Sequence, residues 1–241
     1  MSDQGSSQRD VYLYMVQILD QTDRHQDMVD LMKKVIDLNP ELNPEERNLL
    51  SVSYKNVITV RRNGLRILLA IVDHDESRAN ENRINQLAKF KASLVSELDN
   101  YCYELINLVD QKLLPAAKTA EAKLFYEKLK ADYYRYISEA KEGTEKEESA
   151  AKARECYENA LAIAKEEIPP YKPAYLGLIL NYSVYLYEIV GHKEEAIELA
   201  EKTQLECTTS VEQNSDNAYA EATTILQLLR DNVSLWNQTS Q

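Results

Sequence analysis

Apolar residues return every three or four positions through most of the chain, as in Leu50, Tyr54, Val57, Ile58 and Leu65, in Tyr157, Leu161 and Ala164, and in Ile225, Leu228, Leu229 and Val233. That spacing puts them on one face of an α-helix. No stretch combines the alternation of a half-buried strand with hairpin turn residues, so the pattern predicts an all-α protein of about nine helices. The breaks are expected where proline and glycine fall: Pro40 and Pro44, Pro115, Gly143, the run Pro169, Pro170 and Pro173, and Gly191. Asn43, Pro44 and Glu46 supply an N-cap, a first-turn proline and a capping-box acceptor, while Gly143 is expected to close one helix and residues 144–147 to open the next. Gly64 and Gly177 lie inside helical patterns, where each costs about 1 kcal/mol relative to alanine. Close helix packing is the expected compensation at both. Residues 153–167 have the small-x3-aromatic-x2-Ala spacing of tetratricopeptide-like hairpins, without a second copy at a fixed period.

Composition narrows the function classes. A chain of 241 residues, 44% apolar and 28% charged, can bury a sizeable core, and its formal net charge of -12 argues against a nucleic-acid partner. Cys102, Cys156 and Cys207 are far apart and form no CxxC, so neither a disulfide framework nor a zinc site is expected, and a reducing compartment fits. The most apolar run, residues 67–72, is too short to span a bilayer, and the N-terminus does not read as a leader. The expectation is a soluble intracellular protein with no membrane partner. His25, His74 and His192 have no metal-ligand spacing, no glycine-rich phosphate loop is present, and no nucleophile and base can be paired. Neither a cofactor nor an enzymatic activity is expected.

The cations then matter, because this acidic chain sets Arg135 among tyrosines in "DYYRYISEA" at 132–140. Arg62 and Arg66 lie within about 20° of Lys55 on one helix face, which is either a solvated stripe or part of an anion site. Asp132, three residues before Arg135, either neutralises the guanidinium in a weak surface pair or aims its fork at an anion, with the Tyr136 hydroxyl as an added donor. Two cations about 5 Å apart repel by on the order of 3 kcal/mol at an effective dielectric of 20. A convergent cluster therefore needs carboxylates such as Asp132 and Glu188, and a ligand such as a phosphorylated side chain. Asn181, Val184 and Glu188 recur every three or four residues on one helix, and Leu228, Asn232 and Trp236 every four on another. An amide on such a face either bonds a neighbouring helix or holds an extended peptide backbone.

These segments resemble the 14-3-3 family: "ERNLLSVSYKNV" at 46–57, "RR" at 61 and 62, "DYYRY" at 132–136, "LGLILNYSVYLYEI" at 176–189 and "QLLRDNVSLW" at 227–236. The resemblance covers nearly the whole chain. It implies a single domain over 1–241, with dimerisation helices over about 8–80, groove-forming helices over about 81–236 and a short tail at 237–241. The nine antiparallel helices would form a cup with a concave amphipathic groove that holds phosphoserine or phosphothreonine segments of client proteins. By position, Lys55, Arg62, Arg135 and Tyr136 would hold the phosphate. Asn181 and Asn232 would hold the client backbone, Glu188 would steady the pocket, Lys128 would lie at its rim and Trp236 at the groove wall. Leu180, Val184, Ile225 and Leu228 would form the apolar side. At the dimer seam, with itself or a paralogue, Arg24 and Glu97 match a salt bridge, and Ile18, Leu68, Ile71 and Phe90 match apolar contacts.

Several residues depart from the family pattern. Thr224 stands for a wall leucine, Tyr175 for an arginine, and Gly64 and Leu65 for the serine and tryptophan after the arginine pair. Asp27 finds Ser93 where the family has lysine, and the chain stops five residues after Trp236 without an acidic tail. A cytoplasmic adaptor, with the nucleus also open to it, is the expected role. The alternative is a tetratricopeptide-like scaffold for unphosphorylated peptides.

Overall fold

The computed structural model describes residues 7–74, 80–212 and 216–239, and among them every element is helical. The last residues of the 237–241 segment and the side chain of His74 lie outside this description. The helices are α1 (Gln8–Gln21), α2 (His25–Leu38), α3 (Pro44–His74), α4 (Glu81–Leu108), α5 (Leu114–Ala116), α6 (Ala120–Ala140), α7 (Gly143–Glu167), α8 (Pro173–Val184), α9 (Lys193–Glu212) and α10 (Asp216–Thr239). A π-helical turn, Val109–Leu113, joins α4 to α5, and a second, Tyr185–Ile189, continues α8. With these taken as continuous, the described residues form nine helical rods, as the periodicity predicts.

Most helix starts follow the expected chemistry. At α3 the Asn43 side chain accepts from the Glu46 amide at 2.9 Å and Glu46 accepts from the Asn43 amide at 3.0 Å, which closes the capping box. Arg9 of α1 donates to both Glu46 oxygens at 2.7 and 2.8 Å, an attachment that the local pattern does not announce. Two breaks differ in detail from expectation. Pro115 lies just before the expected break rather than in it: it sits in α5, which ends at Ala116, directly after the π-helical turn, where the Leu114 amide reaches back to the Val109 carbonyl. The widened turn moves the carbonyl that a proline ring would strike in a regular helix. Gly143 does not close α6, which stops at Ala140; it begins α7 at φ 57. Gly191, at φ 73, does end its helix, and the following His192 amide closes onto the Leu186 carbonyl at 2.8 Å.

The described residues gather into two compact units, divided between Ala117 and Lys118. In the first, Val16, Met28, Met32, Leu50, Tyr54, Ile58, Leu98, Cys102 and Leu105 are buried. Its polar tie is Glu104 on α4, which accepts from the Tyr54 hydroxyl at 2.7 Å and from Lys33 at 3.1 Å. Gly64 on α3 faces the Leu94 side chain of α4, where an added Cβ would lie 3.5 Å away, an ordinary contact, so close packing does not by itself require this glycine. In the second unit α6 and α7 run against each other and α8, α9 and α10 complete the core. Tyr157, Tyr182 and Tyr185 pack ring to ring at its centre, and the Tyr185 hydroxyl donates to the Ala150 carbonyl at 2.7 Å. Gly177 does not mark close helix packing. A Cβ there would meet only the end of Lys128, at 4.0 Å, an ordinary contact, so nothing in the packing requires this glycine.

Candidate functional site

Helical spacing places Lys128, Asp132, Arg135, Tyr136 and Glu139 on neighbouring positions of α6, three or four residues apart or adjacent. Asp132 is the hub. One of its oxygens, Oδ1, accepts from the Tyr157 hydroxyl of α7 at 2.6 Å and the Asn181 side-chain amide of α8 at 2.9 Å, with Arg135 Nη2 at 3.5 Å. The other, Oδ2, accepts from Lys128 Nζ at 2.8 Å and from the same Asn181 amide nitrogen at 2.9 Å. Burial raises the Asp132 pKa, but the Lys128 and Arg135 charges and the hydrogen bonds outweigh it, and the carboxyl is held below its ordinary value. It is a buried carboxylate with nearly all its acceptor directions filled.

Arg135 is only 8% exposed. Its Nε donates to the Tyr157 hydroxyl at 3.2 Å, its Nη1 donates to Glu139 at 3.0 Å, and its guanidinium lies 4.6 Å from the Tyr136 ring centre. Burial opposes its charge, while the Tyr157, Asp132, Tyr136 and Glu139 oxygens more than compensate, so its pKa is raised well above the ordinary arginine value. Tyr157, raised chiefly by burial and then by Asp132, keeps its proton and donates it permanently. The weak surface pair weighed for Asp132 and Arg135 is therefore not what forms. Asp132 and Tyr157 fix the guanidinium from one side in a buried network, while Tyr136 meets it with its ring face.

The remaining residues of the second unit vary in access. Leu180, Val184, Ile225 and Asn232 are half-buried, and Glu188, Thr224 and Leu228 are exposed. Trp236, expected at the groove wall, is 3% exposed and stacked on Tyr187 at 4.6 Å and 9°. A large apolar ring gains more from that buried stack than from water, so it supports α10 from inside the core. Tyr175, at the position expected to carry arginine, is buried as well, and burial raises its pKa.

In the first unit Lys55 is exposed and Arg62 half-buried on α3. The expected seam residues fare differently. Ile71 and Phe90 are exposed and Ile18 is half-buried, whereas Leu68 is 5% exposed because it faces the interior of its own unit. Arg24 pairs with Asp27 at 2.5 Å, and Glu97 pairs with Arg61 at 3.2 Å, so both ends of the expected Arg24 to Glu97 bridge have partners within the chain. Cys102, Cys156 and Cys207 are buried free thiols. Among the described residues no helix is long and apolar enough to cross a membrane. Sequence reading missed Tyr157 and Glu139 as partners of Arg135. The i, i+4 spacing from Arg135 to Glu139 was a usable signal, but nothing local tied Tyr157 to Arg135.

A sequence model of the 14-3-3 protein family matches residues 15–237. The chain is similar to the 14-3-3-like protein GF14 iota of Arabidopsis thaliana, 42% identical over 98% of this chain and 88% of the relative. It is also similar to the 14-3-3-like protein B of Vicia faba, at 40% over 96% and 89%, and to the 14-3-3-like protein F of Nicotiana tabacum, at 41% over 98% and 93%. With a family model over residues 15–237 and relatives at about 40% identity over nearly the full length in agreement, the chain belongs to the 14-3-3 family.

Proposed function

We propose that this chain acts in the cytoplasm, as a single functional domain, as an adaptor that binds phosphoserine or phosphothreonine segments of client proteins. Binding rather than turnover is the activity. The observation that carries the reading is Arg135, a buried and permanently charged guanidinium held by Asp132 and Tyr157 beside Lys128 and Asn181. Membership of the 14-3-3 family supports assigning Lys55, Arg62 and Tyr136 to the phosphate together with Arg135, and Leu180, Val184, Glu188, Thr224, Ile225, Leu228 and Asn232 to the peptide. It does not favour a scaffold for unphosphorylated peptides. Charge-assisted bonds supply roughly 1.5 to 3 kcal/mol each, and micromolar binding needs about 8 kcal/mol after ordering costs, so the asparagines and apolar residues share the affinity with the phosphate. The test is titration of a fluorescent Arg-Ser-x-pSer-x-Pro peptide and its unphosphorylated twin. Binding near micromolar for the first and at least a hundredfold weaker for the second is expected. Equal binding of the two moves the assignment to the unphosphorylated-peptide scaffold.

The same chain is proposed to pair with a second copy or a paralogue through its N-terminal helices. Supporting this, Tyr14, Met15, Ile67, Ile71, Ile84 and Phe90 leave large apolar surface exposed in the first unit. The Arg24 to Asp27 and Arg61 to Glu97 pairs would exchange or persist at little energetic difference, since exposed ion pairs contribute about 0 to 1 kcal/mol. Light scattering at micromolar concentration should return twice the single-chain mass; the single-chain mass would rule the pairing out.

A further inference from the structure

Within the second unit one carboxylate touches both the proposed phosphate arm and the proposed backbone clamp. Asp132 meets Arg135 on one side and the Asn181 amide on the other, with Tyr157 and Lys128 completing its contacts. Its low pKa keeps it ionised. An ionised carboxylate accepts hydrogen bonds and donates none, so the side-chain amide of Asn181 can face it only through its NH2 group. That is the observed arrangement, with Nδ2 2.9 Å from each carboxylate oxygen. The amide oxygen then points away from Asp132. Asn181 is only half-buried, and among the described residues nothing donates to this oxygen.

A free asparagine offers a peptide two N–H donors and an acceptor in either orientation, whereas this one has its NH2 end committed to Asp132 and its carbonyl oxygen turned outward. We propose that Asp132 is a positioning residue that fixes Asn181 as a hydrogen-bond acceptor for one backbone N–H of a bound phosphopeptide, and links that contact to the guanidinium of Arg135. This rests on the phosphopeptide reading above and adds a preference to it. A client with proline at the residue facing Asn181 lacks the N–H and is disfavoured there, whatever its side chains. Tyr157 shares the positioning, because its hydroxyl donates to the carboxylate oxygen that Asn181 and Arg135 also approach.

The test is a backbone ester scan of the phosphopeptide, in which each peptide N–H flanking the phosphoserine is replaced in turn by an ester oxygen. Affinities are read for wild type, Asn181→Ala, Asp132→Asn and Tyr157→Phe. One ester should weaken binding to wild type about tenfold, the scale of a single hydrogen bond. The same ester should cost nothing in Asn181→Ala and about twofold in Asp132→Asn, where the amide is no longer held in one orientation. In Tyr157→Phe the penalty should fall part of the way. The ratio of amide to ester affinity is compared within one variant, so general loosening of the fold, which lowers both affinities, leaves it unmoved. A flat ester scan in wild type overturns the inference, as does a penalty undiminished in Asp132→Asn and Tyr157→Phe. Should Asp132→Asn not fold, Tyr157→Phe alone decides. If the all-amide phosphopeptide binds no better than its unphosphorylated twin, the phosphopeptide reading itself has failed, which is seen before any ester is measured.

Discussion

Arg135→Ala should weaken phosphopeptide binding at least a hundredfold and bring the phosphorylated and unphosphorylated peptides close to equal affinity. The guanidinium offers five N–H donors in a rigid fork. In the free chain one goes to Tyr157, and the Nη groups approach Glu139 and Asp132 at 3.0 and 3.5 Å. The fork is thus oriented but held loosely on its Asp132 side, and Glu139 is the contact that an arriving dianion can most easily replace, since its side chain is 24% exposed. Two charge-assisted bonds to phosphate at about 1.5 to 3 kcal/mol each give a loss of on the order of a hundredfold or more on removal. The two cations Lys128 and Arg135 are balanced by Asp132 and Glu139, so this part of the protein carries no net positive charge by itself. Geometry and the displacement of Glu139 therefore carry the contribution of Arg135. Arg135→Lys should recover little, because a single ammonium cannot keep both the Tyr157 contact and two bonds to one phosphate. A loss of less than threefold in Arg135→Ala, in a chain whose Trp236 emission matches wild type, would remove Arg135 from the phosphate site.

The helices were legible because each one buries a single face: Leu50, Tyr54, Val57 and Ile58 repeat at helical spacing and are all buried. The capping box at Asn43 and Glu46 was legible for the same reason, its partners being three residues apart. What failed was the reading of single punctuating residues. Pro115 fits inside the last turn of its helical rod because a π-helical turn precedes it, and that turn leaves no trace in the hydrophobic period. Gly177 faces only the end of the Lys128 side chain and no close helix contact, a relation across 49 residues of chain that spacing cannot express. Within the candidate site the same limit applies. Arg135, Asp132 and Lys128 lie within one helix and could be read together, but Tyr157, which decides their geometry, appeared in the sequence only as one apolar position of α7. Asn181 was recognised as an amide on an apolar face, yet which of its two ends faces inward depends on a carboxylate from another helix. Trp236 shows the same limit, since an aromatic at the right helical spacing gives no sign of being covered by Tyr187.

Asp132→Ala should destabilise the second unit by about 3 to 5 kcal/mol at neutral pH, the largest stability effect expected from a single substitution in this network. Two cations, the Tyr157 hydroxyl and the Asn181 amide converge on that carboxylate, and its side chain is 8% exposed. Removing it leaves Arg135 buried with Glu139 as its remaining carboxylate partner, and leaves a buried phenol without its acceptor. Denaturant unfolding followed through Trp236 isolates the effect, since it is the sole tryptophan and lies in the core of the same unit. The pH dependence gives a second, independent check. Because the folded pKa of Asp132 lies below the ordinary 3.8, the ionised group stabilises the fold above that value, and the contribution fades as pH falls from there toward the folded pKa. The gap between wild type and Asp132→Ala should therefore be full at neutral pH and narrow in acid. A gap under about 1 kcal/mol at pH 7, or one that widens as pH falls, would show that Asp132 is not the ionised centre of the network.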